Sequence, residues 1–336
     1  MEVLALFMFV ALVAMLLLGF PVAFTLAVVA MLFGLPMLGL EFFDLLPLRI
    51  WGIVKNFTLL AVPLFVFMGV VLQKSGIAED LLETMALLFG RVRGGLTMSI
   101  VIVGGLLAAT TGVVGATVVT MAVIALPAML KHGYQRELSA GVIAASGTLG
   151  QLIPPSIVLV LLGDVIGVPV GRLFAGAVAP GLMLIAAFII YIAVYSALNP
   201  KAAPKLDVSL MRGDATQNLT SRVLKSLLPP LLLMMAVLGS IFFGIASPTE
   251  SAAFGAVGAL MLAAMRKSLN RKNLFTAASD TTRLTSMVFM ILVGATAFGL
   301  VFRGLGGDTL VHSLMTSLPG GQWGFLAVSM LVIFLL

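Results

Sequence analysis

The sequence predicts an all-α integral membrane protein, and three observations carry that reading. Of its 336 residues 61% are hydrophobic and only 10% are charged. The apolar residues come in runs long enough to cross a bilayer, and the polar residues inside those runs are Gly, Ser, Thr and Pro rather than charges. A water-soluble domain carries about 25% charged residues and roughly half apolar ones, so a mean hydropathy of +1.21 lies well outside the soluble range. At roughly 20 apolar residues per crossing, the length allows on the order of ten segments. The formal charge of +6 is not a nucleic-acid footprint, because Lys and Arg sit at segment ends, where they orient helices. The absence of cysteine removes disulfides, thiolate metal sites and cysteine nucleophiles together.

Taken in order, the predicted segments are 3–18, 21–40, 57–73, 95–109, 112–130, a discontinuous stretch over 138–170, 172–198, 226–245, 249–265, 284–302 and 322–336. Met1 and Glu2 supply no basic region ahead of the first run, so that run is expected to be membrane helix and not a cleaved leader. Gly19, Phe20 and Pro21 interrupt it, giving two short helices or one kinked helix. Glu79, Asp80 and Glu83, with Ile77, Leu81, Leu82, Met85 and Leu88 at helical spacing, predict an amphipathic connector lying in the membrane interface.

Two connections are the most polar. Asn199 to Lys225 contains Lys201, Lys205, Arg212, Arg222 and Lys225, and Arg266 to Arg283 contains Arg266, Lys267, Arg271, Lys272 and Arg283. Short loops with this excess are cytoplasmic, and the two helices between them return the chain to one side. Lys131, His132 and Arg136 carry the same signature, yet a re-entrant hairpin after them followed by one crossing at 172–198 puts Asn199 on the far side. Either 138–170 crosses the bilayer or one basic loop breaks the rule.

Three stretches carry the chemistry. Gly104 to Thr120 is rich in Gly, Ala and Thr, which suits close helix packing and equally an interrupted helix where Thr110, Thr111, Gly112, Gly115 and Thr117 present oxygens to a cation. Ser146 to Ser156, SGTLGQLIPPS, contains Pro154 and Pro155, which do not both sit in a regular helix interior. A helix stops there and another starts. Arms of about 15 residues reach only about 22 Å, so two helices meeting at mid-depth is the economical arrangement. Their ends expose unsatisfied N–H and C=O groups, and Ser146, Thr148, Gln151 and Ser156 add side-chain partners. Third, Ala246 to Ala253, ASPTESAA, has Ser247, Pro248 and Glu250 in the order of an N-cap, a first-turn proline and a capping-box acid. A Glu250 carboxylate at mid-bilayer would instead mark function. His132, Asp164, Arg172, Arg303, Asp308 and His312 are loop or segment-end residues without an assigned role.

In the order and spacing of SGTLGQLIPPS, ASPTESAA and the FAGAVAPGLML segment after Arg172, the chain resembles the DctM-like large permeases of tripartite ATP-independent periplasmic (TRAP) transporters. The resemblance implies an inverted-repeat ion-transporter-type fold with broken helices and a re-entrant hairpin, and an elevator-like cycle. It implies sodium-coupled uptake of an organic anion, usually a carboxylate, across the bacterial inner membrane. The implied partners are a periplasmic substrate-binding protein and a small four-helix membrane subunit. Na+ is the coupling ion, with no transition metal and no cofactor. One sodium and substrate-gating site is implied at the first hairpin tip and the broken helix before it, here Ser146, Gly147, Thr148, Pro154, Pro155 and Ser156 with Thr110, Thr111, Gly112 and Gly115. Gly294, Thr296 and Gly299, with Glu250, are the second-repeat candidates. The expected division is a first repeat with N-terminal scaffold helices over 1–198, a polar loop over 199–225, and the start of a second repeat over 226–336. The family's second hairpin would follow a helix beginning like Trp323 to Leu336, so a chain truncated at its C-terminus is expected.

Two other readings stay beside this one. A stand-alone ion/dicarboxylate symporter of the same superfamily would share the motifs. A membrane-embedded hydrolase finds no H-E-x-x-H, no G-x-G-D and no base near Ser156 in sequence, which argues against an enzyme.

Overall fold

A computed structural model describes residues 2–90, 92–111, 114–205, 219–317 and 321–335. Regular structure among them is helical: α1 (Glu2–Leu17), α2 (Val22–Leu38), α3 (Leu45–Val54), α4 (Ala61–Lys74), α5 (Ile77–Phe89), α6 (Gly95–Thr111), α7 (Val114–Lys131), α8 (Arg136–Thr148), α9 (Ile157–Ile166), α10 (Val170–Leu198), α11 (Leu219–Phe242), α12 (Pro248–Met265), α13 (Arg271–Gly304), α14 (Gly307–Thr316) and α15 (Gly321–Leu335). Among the described residues five helices are long and apolar enough to cross a membrane, namely Phe57–Lys74, α10, Val223–Phe242, α12 and α13. The first run does divide at Gly19 to Pro21, into α1 and α2.

Three local expectations are corrected. The polar connection expected over Arg266 to Arg283 shrinks to 266–270, because the Asn270 side chain accepts from the Asn273 amide at 2.7 Å and caps α13 there. The short helices α3 and α14 were not expected; each is only ten residues long. And α5 does not lay its apolar face on lipid. Ile77, Leu81, Leu82 and Met85 are buried against α6 and α11, leaving Leu88 exposed. The same spacing that suits a membrane surface also suits a neighbouring helix, so periodicity alone does not choose between them.

The chain forms two compact units, residues 1–56 with 286–336, and residues 57–285. The first has a core of Ala5, Met8, Val29, Ala30, Ala297 and Val301. Phe9 meets Phe298 edge-on at 5.6 Å, a geometry that aromatic quadrupoles favour. Here α13 passes so close to α2 that a side chain on Gly294 would lie 2.5 Å from the Ala23 carbonyl oxygen.

The second unit has two ends, which its hydrogen bonds identify. At one end the Thr249 hydroxyl donates to the Phe57 carbonyl at 2.9 Å, and Gly171 packs on Ile241, so the starts of α4, α10 and α12 gather with the end of α11. At the other end Arg266 pairs with Asp80, and Lys74 lies 3.6 Å from Asp280. The Gln135 amide donates to the Ala202 carbonyl at 2.9 Å, the Gly94 amide to the Ala203 carbonyl at 3.3 Å, and the Leu96 amide to the Tyr134 hydroxyl at 3.4 Å. Burial pushes the Tyr134 phenol above its ordinary range, partly offset by that amide. This second end also holds Lys131, Arg136, Lys201, Lys225, Lys267 and Arg271, and is the basic end.

The course of the chain follows. The α6–α7 pair leaves the basic end at Gly94 and returns to it at Tyr134. The α8 and α9 helices together carry the chain from Gln135 to the opposite end, and the 29-residue α10 brings it back to Ala202. Of the two alternatives open for 138–170, the structure has the one in which the stretch advances from one end to the other through an interruption, while the pair flanking 112–113 doubles back.

Candidate functional site

The interruption between α8 and α9 is built from the predicted SGTLGQLIPPS stretch. The α8 helix ends at Thr148, a 3-10 turn covers Leu149–Gln151, a cis peptide joins Pro154 to Pro155, and α9 begins after Ser156. Ser156 is the N-cap of α9. Its hydroxyl accepts from the Leu159 amide at 3.5 Å and donates to the Gln151 carbonyl at 2.7 Å, so one side chain ties both sides of the break. Gly167 ends α9 at φ +68, where a left-handed residue lets the Val168 amide reach the Gly163 carbonyl. With 13 and 10 residues, the two arms are about 20 and 15 Å long, and neither crosses a bilayer alone.

Small residues let three helices close on this break. A side chain at Gly104 of α6 would lie 2.6 Å from Ser146 Cβ, and one at Gly147 would lie 3.1 Å from Val118 Cα of α7. Ile153, just before the prolines, sits in a notch between Gly105 of α6, where an added Cβ would be 3.5 Å from it, and Gly181 of α10, at 3.1 Å. Gly104, Gly105, Val118, Ile153 and Gly181 were not among the predicted site residues. The available signal was the run of small residues that begins at Gly104 and Gly105.

The hydroxyls at the end of α8 donate to carbonyls of their own helix. The Ser146 hydroxyl, fully buried, donates to the Ile143 carbonyl at 3.0 Å, and the exposed Thr148 hydroxyl donates to the Ala145 carbonyl at 2.7 Å. A hydroxyl that spends its proton this way keeps lone pairs on oxygen. Pro154, Pro155 and Ser156 are buried, whereas Gln151 is exposed. Thr110 and Thr111 form the last turn of α6; their side chains, and Gly112 entirely, lie outside the described residues. Gly115, in the first turn of α7, is exposed with no heavy atom within 4 Å of an added Cβ. Because Val118 touches Gly147, the start of α7 lies about one helical turn from the end of α8. Among the described residues, the end of α8 at Gly147 thus packs against α7 at Val118.

The second-repeat candidates lie elsewhere. Glu250 is exposed and closes a capping box: its carboxylate accepts from the Ser247 amide at 2.7 Å, and its own amide donates to the Ser247 hydroxyl at 3.3 Å. Ser247→Ala should therefore cost about 1 kcal/mol, seen as a lower melting temperature of the detergent-solubilised protein. The α13 helix runs without a break through Gly294, Thr296 and Gly299. Gly294 is the close contact with α2, the Thr296 hydroxyl donates to the Leu292 carbonyl at 2.8 Å, and Gly299 has open space beside it. Among the described residues no group of His, Asp and Glu is arranged to hold a metal ion.

Comparison with known proteins supplies the family. The model of the tripartite ATP-independent periplasmic transporter DctM component matches residues 9–336. The C4-dicarboxylate TRAP transporter large permease protein DctM of Pseudomonas aeruginosa is 33% identical over 294 residues, which is 86% of this chain and 66% of that protein. Its counterpart in Rhodobacter capsulatus is 30% identical over 339 residues, 96% of this chain and 75% of that one. The ectoine TRAP transporter large permease protein TeaC of Halomonas elongata is 29% identical over 305 residues, 88% and 67%. The chain thus spans about two thirds of the length of several curated relatives. Match length, identity and the all-helical apolar architecture agree, and the chain belongs to the DctM component family of tripartite ATP-independent periplasmic transporters, a family of transport permeases and not of enzymes.

Proposed function

We propose that this chain acts in the large membrane subunit of a sodium-coupled secondary transporter that imports an organic anion handed over by a periplasmic binding protein, together with a small membrane subunit. The observation that carries the reading is that the end of α8, just before the α8–α9 break, packs on α6 at Gly104 and on α7 at Val118. Irregular backbone at membrane depth is tolerated only where protein or a cavity covers it, and helix ends there offer carbonyls to a cation and amides to a carboxylate. In this reading α6–α7 is the re-entrant hairpin and α8–α9 the broken crossing. The residues are those predicted, with their roles exchanged. Ser146, Thr148 and residues of the Thr110–Gly115 segment supply oxygens to Na+, and Pro154, Pro155 and Ser156 hold the gate. Internal repeats over 1–198 and 226–336 are compatible with units that interleave in sequence. The basic end is the cytoplasmic face of the inner membrane, by the excess of Lys and Arg there.

The substrate class rests on relatives named for C4-dicarboxylates and for ectoine, a carboxylate-bearing solute in the first case by name. The test is uptake into proteoliposomes by the full complex. Carboxylate uptake is expected to need both an inward sodium gradient and the binding protein. Undiminished uptake with neither present would overturn the reading, and uptake that needs sodium alone would favour the stand-alone symporter.

A further inference from the structure

We propose that the groove between α8 and α10, at the basic end of the second unit, is a lipid site that seats one acyl chain of a phospholipid bearing a primary ammonium headgroup. The groove has a volume of about 290 Å³. Its floor is Val101 of α6, its walls include Gly141 and Phe188, and its mouth is formed by Glu137, Tyr191 and Tyr195. Gly141 has no heavy atom within 4 Å of an added Cβ, so the space beside it is open. From Phe188 to Tyr195 the helix rises about 10 Å, which gives the apolar channel the length of the upper part of a fatty acyl chain.

The mouth selects the headgroup. The two tyrosine rings stack at 5.9 Å with 25° between their planes, and Tyr191 is 61% exposed, presenting a π face outward. The Tyr195 hydroxyl donates to the Gln135 side-chain oxygen at 3.2 Å, which fixes that ring beside the loop. Among the residues lining the groove Glu137 is the one that carries a charge, and it is negative. A carboxylate beside a stacked aromatic pair attracts a cation by charge and by cation–π interaction, and repels an anionic headgroup. Primary ammonium donates hydrogen bonds to a carboxylate, which quaternary ammonium cannot do. On α8 the groove extends as far as Ala145, one residue before Ser146.

Native mass spectrometry of the full chain in detergent tests this, using phosphatidylethanolamine, phosphatidylcholine and phosphatidylglycerol with identical acyl chains. Phosphatidylethanolamine should be retained in preference to phosphatidylglycerol by about two- to fivefold, with phosphatidylcholine between them. Glu137→Gln should erase that preference. Gly141→Leu, which fills open space, should remove the adduct while leaving the melting temperature of the lipid-free protein unchanged. Equal retention of the three lipids by the unaltered chain, or an adduct that survives Gly141→Leu, overturns the proposal. So does efficient cross-linking of a Gly141→Cys variant to the small membrane subunit in the assembled complex, since a protein helix would then fill the groove.

Discussion

Gly147→Ala is expected to lower uptake by roughly 10- to 100-fold while the protein still inserts and purifies. Gly147 lies where α8 crosses α7, and an added methyl group meets the Val118 side chain and, at 3.1 Å, the Val118 Cα. A side-chain end can rotate away; a backbone atom moves only if its helix moves. Overpacking of this kind costs about 1–3 kcal/mol, and each 1.4 kcal/mol is a factor of about ten in an equilibrium. The strain falls on a close contact between the last turn of α8 and the first turns of α7, beside the proposed cation site. Val118→Ala in the same chain should restore part of the rate, because it removes the side-chain part of the clash and leaves the backbone part. Initial rates in proteoliposomes at fixed binding-protein concentration measure both variants. A Gly147→Ala protein with an unaltered rate would show that this crossing has no part in transport.

Gly95→Ala should have the larger effect on stability. Gly95 opens α6 after the tight bend in which its amide donates to the Val92 carbonyl at 3.0 Å, and an added Cβ would collide with the Phe89 carbonyl, 2.6 Å from its carbon. Both colliding atoms are backbone in the last turn of α5, so relief requires moving that helix. Eight residues of α5 are buried, the helix packs against α6 and α11, and the Thr84 hydroxyl donates to that of Ser226 at 3.3 Å. The cost should exceed about 3 kcal/mol, in the range reserved for steric conflicts without an escape route. Little folded protein is expected at the yield of the parent chain, with a marked fall in melting temperature for what is recovered. Gly52→Ala is the control, since nothing lies within 4 Å of an added Cβ there.

Much of this molecule was legible before its structure. Helix stops are local chemistry: Gly19 to Pro21, the Ser247 capping box and the double proline at 154 and 155 each end or start a helix through restricted dihedrals or a side-chain cap, and each does so in the structure. The hidden start of α13 was less legible, because Asn270 sits in a run of charges that reads as loop until its carbonyl is seen accepting from Asn273. The α5 surface was misassigned for the opposite reason. Its pattern was read correctly as amphipathic, but a pattern does not name the partner of its apolar face.

Composition and local stops are enough to say that this chain lives in a bilayer as helices, where those helices break, and which small and polar residues sit at the breaks. They do not say which way the chain goes afterwards. A helix that ends at a Gly or Pro signal can turn back beside its predecessor or continue in the same direction, since both need the same relaxed dihedrals. The direction was decided by contacts distant in sequence: Gln135 with Ala202, Gly94 with Ala203, and Gly171 with Ile241. Those contacts set three basic loops at one end, make α6–α7 the pair that doubles back, and leave α8–α9 as the interrupted passage. Only packing across the unit, where glycine at 104 and 147 admits a neighbouring helix, distinguishes the two courses.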